Sequence, residues 1–325
     1  LSAGESTLSG KKGEYFYDTT NSKFVMDLTG DGTISGADHN FSVNAATTAA
    51  DTIAASDVNF HVTTGDFADI ITTGDGADNI TSAGGIDNIT SGAGNDTIDA
   101  GDSADIISGG AGIDDITGGT GTDVITPGAG ADVVDLTAAH EIDTLVVAAG
   151  DTVLTVGGTG TAGTISGFDA ITGFADADGT NKSDLLKVVG ATIAANATVD
   201  GTDSTLKVGT TTVVKAHKIV AGVATFHSAD AANAALTIAD SADLAAVVQY
   251  LQATDLIDNT NETALDNSII FKVGTSNYYY AQGTKAGTDN DKDILVNLGT
   301  TSLADTNVLS TTVNLTAKVV NIAIS

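Results

Sequence analysis

Between Thr64 and Asp135 an aspartate recurs every nine residues, at Asp69, Asp78, Asp87, Asp96, Asp105, Asp114, Asp123 and Asp132. Two places after each stands a large aliphatic side chain: Ile71, Ile80, Ile89, Ile98, Ile107, Ile116, Ile125 and Val134. Two columns kept through eight copies, with small residues between them, require one supersecondary unit stacked on itself. Each unit has six residues to turn in and three to form a strand whose middle side chain enters the core. The flanks, Asp51-Thr52-Ile53 and Phe60-His61-Val62, echo the pattern and read as degenerate capping turns over 45–63.

The composition narrows the chemistry. With 325 residues the chain can bury a core in more than one domain, and without cysteine it has neither thiol chemistry nor disulfides. A net charge of -30, with all 12 basic residues lysine, excludes nucleic acid as a partner. The acid is 38 Asp against 4 Glu, whereas a merely solubilising acidic surface would draw on both. Asp suits turns and sets a carboxylate close to backbone carbonyls, the oxygen shell of a hard cation. No apolar run is long enough to span a membrane, and no basic start leads into an apolar stretch and cleavage site. Opening at Leu1, the chain is expected to be a fragment or processed product with an upstream domain.

Residues 1–44 read as a first domain, a hairpin of Tyr15-Phe16-Tyr17 and Lys23 to Met26 followed by the segment Asp27 to Asp38. There Asp occupies places one, five and twelve, Gly place six and Ile place eight, which resembles the twelve-residue calcium loop of EF-hand and dockerin modules. The resemblance implies ligands from Asp27, Asp31 and Asp38 and the carbonyl of Thr33. Thr29 at place three and Asp38 in place of the bidentate Glu at place twelve depart from the EF-hand pattern, the latter as in dockerins, and an Asp-Gly hairpin turn without metal is the alternative.

The cleanest repeats are Gly109 to Thr117 and Gly118 to Thr126, each reading G-G-x-G-x-D-x-U-x with U a large aliphatic. This resembles the RTX nonapeptide of calcium-binding parallel β-rolls. The resemblance implies an all-β roll over 64–136 with two nonapeptides per coil and calcium between turns n and n+2. One side would bridge Asp69/Asp87, Asp87/Asp105 and Asp105/Asp123, and the other Asp78/Asp96, Asp96/Asp114 and Asp114/Asp132. Further oxygens would come from the turn glycines Gly74, Gly76, Gly92, Gly94, Gly110, Gly112, Gly119 and Gly121. Replacement of the first glycine at Thr64, Thr73, Ser82, Ser91, Ala100 and Pro127, and of the later one at Phe67 and Ser103, would weaken the sites at the ends and at Asp105.

Alternation sorts the remaining strand positions. The Asp69 side shows Ile70/Thr72, Asn88/Thr90, Ile106/Ser108 and Val124/Thr126, half apolar and uncharged, while the other side bears Asp99, Asp115 and Asp135. The uncharged face is expected to pack on another domain or a neighbouring molecule.

After Asp135 the sequence loses the nine-residue register. Segments Asp143 to Val147, Ile165 to Phe174 and Ser183 to Val188 resemble the aromatic cap and D-x-L strand that close RTX rolls, over 137–190. Asp176 to Asn181 and Asp289 to Asp293 read either as cation loops or as plain turns. Residues 191–260 read as a β-sandwich-like region with a helix over 241–253, striped by Leu244, Val247, Val248 and Leu251 and suited to covering a sheet. Residues 261–325 form a C-terminal β region whose apolar end, Val313 to Ile324, fits a type I secretion signal or an ordinary closing strand.

No catalysis is expected. The five histidines are scattered, His140-Glu141 lacks the second histidine of a zinc motif, and neither a nucleophile elbow nor a phosphate loop is present. The long β region after the roll is similar to that of RTX surface-layer proteins. That resemblance implies a calcium-dependent structural protein of the bacterial cell surface. Its partners would be copies of itself in a two-dimensional lattice, the type I secretion machinery and, through an upstream domain, lipopolysaccharide. An RTX adhesin, or the secretion module of an exoenzyme or toxin, is the alternative.

Overall fold

The computed structural model describes residues 15–18, 23–26, 40–44, 52–54, 59–137, 142–157, 163–174, 184–189, 191–193, 197–200, 206–209, 211–220, 222–228, 235–253, 267–283, 293–300 and 319–323. The chain divides into two units, Leu1–His39 and Asn40–Ser325. In the first, Tyr15–Asp18 and Lys23–Met26 pair antiparallel as a hairpin, with Tyr15 opposite Met26. The calcium-loop reading of Asp27, Asp31, Thr33 and Asp38 lies outside the described residues.

The second unit is built on two sheets that the chain visits alternately. The first sheet stacks Thr52–Ala54, Ile70–Gly74, Asn88–Ala93, Ile106–Ala111, Val124–Ala129, Thr144–Val147 and Leu185–Val189 in parallel. The second stacks Asn40–Asn44, Asn59–Thr63, Asn79–Thr81, Thr97–Asp99, Asp115–Thr117, Val133–Asp135 and Asp169–Thr172, also in parallel. Two nonapeptides therefore complete one coil, and equivalent residues pair across coils, as in Ile107 with Ile89 and Ile125. The aliphatic column is the reason. Ile71, Ile89, Ile107 and Ile125 from one sheet and Ile80, Ile98, Ile116 and Val134 from the other are all buried in one continuous core. A register slip of one residue would turn that whole column to solvent.

The strands on the two sides differ in length. On the second sheet each repeat gives a three-residue strand, as expected. On the first the ladder runs on through the following turn, pairing Gly110 with Gly92 and Gly128 and giving six-residue strands. The turns on that side are Ser-Gly-Ala, Gly-Gly-Ala and Pro-Gly-Ala, small enough for adjacent backbones to keep strand spacing around the bend.

Beyond the repeats the second sheet continues through Ile294–Asn297, Ser276–Ala281, Asn267–Val273, Val223–His227, Ala216–Val220 and Ala197–Asp200. The sandwich-like region of 191–260 therefore shares a sheet with the roll. Alternate residues of these strands face two cores. Ile270, Tyr279, Ile294 and Val296 extend the interior of the roll, whereas Phe271, Tyr280 and Leu295 meet the helix Leu244–Ala253. Leu244, Val247, Val248 and Leu251 are buried there, so the helix covers the sheet as its stripe requires. Its entry is capped by Asp240, whose carboxylate accepts from the Ala242 N–H, with a 3-10 turn over Ser241–Asp243. Val319–Ala323 pairs antiparallel with Leu185–Val189 and closes the first sheet.

Candidate metal site: two aspartate columns

The aspartates precede their strands by one residue, at the point where each turn ends, and the coil repeat sets them directly above one another. Each takes part in the same exchange. Its backbone N–H donates to the Oδ1 of the aspartate one coil further on, from Asp69 to Asp87 at 2.8 Å, Asp87 to Asp105 at 2.8 Å and Asp105 to Asp123 at 2.9 Å. The other column repeats this, from Asp78 to Asp96 at 2.7 Å, Asp96 to Asp114 at 2.9 Å and Asp114 to Asp132 at 2.9 Å. The six pairs expected from the two-repeat coil are thus brought together, each by a backbone donor and a carboxylate. In addition, the carbonyl of each aspartate accepts from the residue after the next aspartate, as in Val133 N–H to Asp114 at 2.8 Å.

At Asp105, Asp114 and Asp132 one carboxylate oxygen is used in this way and the second is not. The Oδ2 atoms of Asp105, Asp114 and Asp132 are buried with no hydrogen-bond partner. Burial pushes the carboxyl of Asp105 up to about 7, Asp114 to about 6 and Asp132 to about 7, with smaller rises from the neighbouring aspartates of the column. At these three levels a buried, unpartnered oxygen is an unsolved desolvation problem for the protein alone.

The residue at the first turn position sits beside that second oxygen. At Gly109 and Gly118 an added Cβ would lie 2.6 Å and 2.7 Å from Oδ2 of Asp114 and Asp123. The replacements of glycine in the earlier copies turn out to be structural. Thr64, Thr73, Ser82 and Ser91 are buried, and each hydroxyl donates to the carbonyl of the residue one coil on, at 3.2, 2.8, 2.7 and 2.6 Å. The hydroxyls of Thr73, Ser82 and Ser91 also temper the rise that burial imposes on Asp78, Asp87 and Asp96. Hydroxyl ladders hold the early coils, and Ala100, Gly109, Gly118 and Pro127 line the later ones.

The turn glycines Gly92, Gly94, Gly110, Gly112, Gly119 and Gly121 all have positive φ, while Gly74 and Gly76 do not. The carbonyls of Gly74 and Gly76 nevertheless take their places in the stack, against Gly92 and Gly94 of the next coil. Ser103, in the place of a glycine, holds the same left-handed backbone at φ +88. The turn at Asp105 is therefore kept, at a cost of about 1 kcal/mol for its Cβ. Ser103→Gly is expected to raise the stability of the calcium-loaded chain by about 1 kcal/mol in urea unfolding. An unchanged or lower midpoint would contradict a strained Ser103.

The columns run further than the nine-residue pattern. Asp123 N–H donates to Oδ1 of Asp143 at a spacing of 20 residues, Asp132 to Asp169 at 37, and Asp143 to Asp184 at 41. These three aspartates escaped the periodicity because intervening segments break the count. Their signal was the triplet itself, Asp-x-aliphatic, at Asp143-Thr144-Leu145, Asp169-Ala170-Ile171 and Asp184-Leu185-Leu186. At the other end Asp78 Oδ1 accepts from Phe60 N–H at 2.7 Å, so the echo at Phe60-His61-Val62 is a working coil.

Oxygen is the only donor type in these turns. Among the described residues no three Asp, Glu or His side chains gather around one point, so an ion here would take a large share of its oxygens from backbone carbonyls. Buried unpartnered carboxylate oxygens beside glycine turns that leave no room for a Cβ fit a hard cation such as calcium. The family model for the RTX calcium-binding nonapeptide repeat (4 copies) matches residues 61–89, 81–116 and 99–134. The roll carries RTX repeats. Comparison with curated proteins and with solved structures found no match.

Among the described residues, His61 stands on the roll strand Asn59–Thr63 and the other histidines lie beyond the repeats. His217 and His227 lie in the C-terminal sheet, where burial holds His217 down at about 4 and its Nδ1 lies 3.1 Å from the Tyr250 hydroxyl. Asp293, from the second suggested cation loop, accepts instead from Tyr280, Gln252 and the Gly283 N–H at 3.0, 3.0 and 2.9 Å. The rest of that loop, and Asp176 to Asn181, fall outside the described residues. No described helix is long and apolar enough to cross a membrane.

Proposed function

We propose that this chain is a structural segment of a secreted RTX protein that folds on calcium outside the cell and assembles with copies of itself into a surface layer. The carboxylates of the two columns, with carbonyls of the glycine turns, would hold the calcium. When bound it supplies the positive charge that the buried carboxylates lack. At low calcium the aspartates repel one another and the chain stays unfolded, in a form suited to a type I exporter. At extracellular calcium, binding to the folded state alone shifts the equilibrium by mass action. Catalysis has no part in this reading, and lipopolysaccharide would be met through a domain outside this segment.

The observation that favours assembly is the outer face of the first sheet. Ile70 and Ile106 are 53% exposed and Val124 37%, and they stand in parallel register along a strip without charge. On a polyanion this is a surface on which like copies can meet without carboxylate repulsion. Electron microscopy of the full-length protein with calcium should show a two-dimensional array that chelator disperses. A protein that stays monomeric in millimolar-range calcium, or arrays unchanged by Ile106→Asp, would overturn the proposal.

A further inference from the structure

We infer a cation site at the seam between the last nonapeptide and the C-terminal sheet, where Asp132 of the repeats and Asp169 beyond them would hold a hard divalent cation of calcium's size with Asp151 alongside.

The seam is built like a repeat from residues that are not one. Gly167-Phe168-Asp169-Ala170-Ile171-Thr172 reproduces the second half of the nonapeptide, with glycine two places before the aspartate and an aliphatic two places after. Gly167 has a φ of +81, and an added Cβ would lie 2.0 Å from the carbonyl oxygen of Val153, as those of the repeat glycines would against the coil beneath. Asp169 Oδ1 accepts from Asp132 N–H at 3.0 Å, the column's own hydrogen bond. Asp169 is 0% exposed, and its Oδ2, like that of Asp132, has no hydrogen-bond partner. The unsolved carboxylate oxygen of the repeats is thus present here in fully buried form.

A third acid separates this place from the repeats. Gly130 N–H donates to the Asp151 carbonyl at 2.7 Å, the bond that Gly94 and Gly112 make to Ala111 and Ala129 in the coils before. Asp151 therefore takes the turn position that alanine holds in those copies. Its negative charge is felt by both Asp132 and Asp169, and Asp169 is pushed up to about 8, chiefly by burial. Its own Oδ2 accepts from Ala148 N–H at 2.6 Å, which fixes the orientation of the carboxylate without making it a third ligand of the pair. Added anionic charge at the mouth of an oxygen site raises its affinity for a divalent cation.

The position gives the site its consequence. Asp169–Thr172 pairs with Val133–Asp135 of the roll on one edge and with Ile294–Asn297 of the C-terminal sheet on the other. An ion between Asp132 and Asp169 would fasten that shared strand and so couple the C-terminal sheet to the loading of the roll. This rests on the reading that the columns bind calcium, and the test separates the two.

Calcium titration by calorimetry, with hydrogen exchange followed at 294–298, would be run on the whole chain and on Asp151→Asn, Asp169→Asn and Asp114→Asn. Asp169→Asn should bind one ion fewer. Asp151→Asn, whose amide oxygen can still accept from Ala148, should weaken one site by roughly tenfold. In both, slowing of exchange at 294–298 should need roughly tenfold more calcium while residues 80–125 respond as in the parent chain. If Asp114→Asn loses an ion but the two seam variants keep the parental stoichiometry, affinity and exchange, the columns bind calcium and the seam does not. If the parent chain takes up no calcium, both readings fall. Should Asp169→Asn not fold in calcium, Asp151→Asn alone decides.

Discussion

In chelator at pH 8 the roll is expected to lose its β-sheet circular dichroism, and acidification to pH 5 in the same chelator is expected to restore part of it. The aspartate columns dictate both halves. Asp105, Asp114, Asp132 and Asp169 titrate near 7, 6, 7 and 8 in the folded chain, against an ordinary value of 3.8. A carboxyl whose pKa is raised by folding binds more protons folded than unfolded across the interval between the two values. Its favourable contribution is fully present below its ordinary value and is lost as pH rises through its folded one. Without cations, stability must therefore fall between about pH 4 and pH 8. Calcium replaces the proton as the counter-charge, so the loaded chain should show no such fall and should instead lose calcium on acidification. A cation-free roll equally folded at pH 8 and pH 5 would contradict buried, charge-starved columns.

Gly112→Ala is expected to cost the calcium-loaded chain roughly 2–5 kcal/mol, the sum of backbone strain and overpacking. Gly112 has a φ of +149, and a Cβ there would lie 1.7 Å from the carbonyl oxygen of Gly94 and 2.5 Å from its carbon. Neither atom is a side-chain end that can swing away. The methyl must force two coils apart at a point where their spacing is fixed by hydrogen bonds on both sides. Gly150→Ala is the control, since Gly150 has a φ of +91 but nothing within 4 Å of the added carbon. That change should cost only the strain, about 1–2 kcal/mol. Urea unfolding at saturating calcium compares them, and equal losses would mean that coil contact at Gly112 is not limiting.

The roll was legible in the sequence because its two constraints, an aspartate and an aliphatic two residues later, fall on every copy. Ile107 and Asp105 cannot be read apart from Ile125 and Asp123. Pairing of alternate repeats is what the RTX resemblance implies, and the hydrogen bonds between aspartates show it level by level. What the count of nine could not carry was continuation by non-local pairing. Asp169 joins Asp132 across 37 residues, and the triplet Asp169-Ala170-Ile171 marks a strand start without saying which aspartate it stacks on. The substitutions at Thr73, Ser82 and Ser91 looked like losses from a glycine pattern. They are gains in a three-dimensional one, because the partner carbonyl of each hydroxyl lies a full coil away. The stripe places the helix, and its entry is a 3-10 turn over Ser241–Asp243 capped by Asp240.

The spacings of 20, 37 and 41 residues between stacked aspartates carry a meaning for how such a chain can be extended. The stack tallies hydrogen bonds and buried aliphatics, and it is indifferent to how much polypeptide leaves and returns between them. Each departure point after Asp135 is thus a natural port, where a cargo of tens of residues can be spliced in while the ladder closes above it as though nothing had been added.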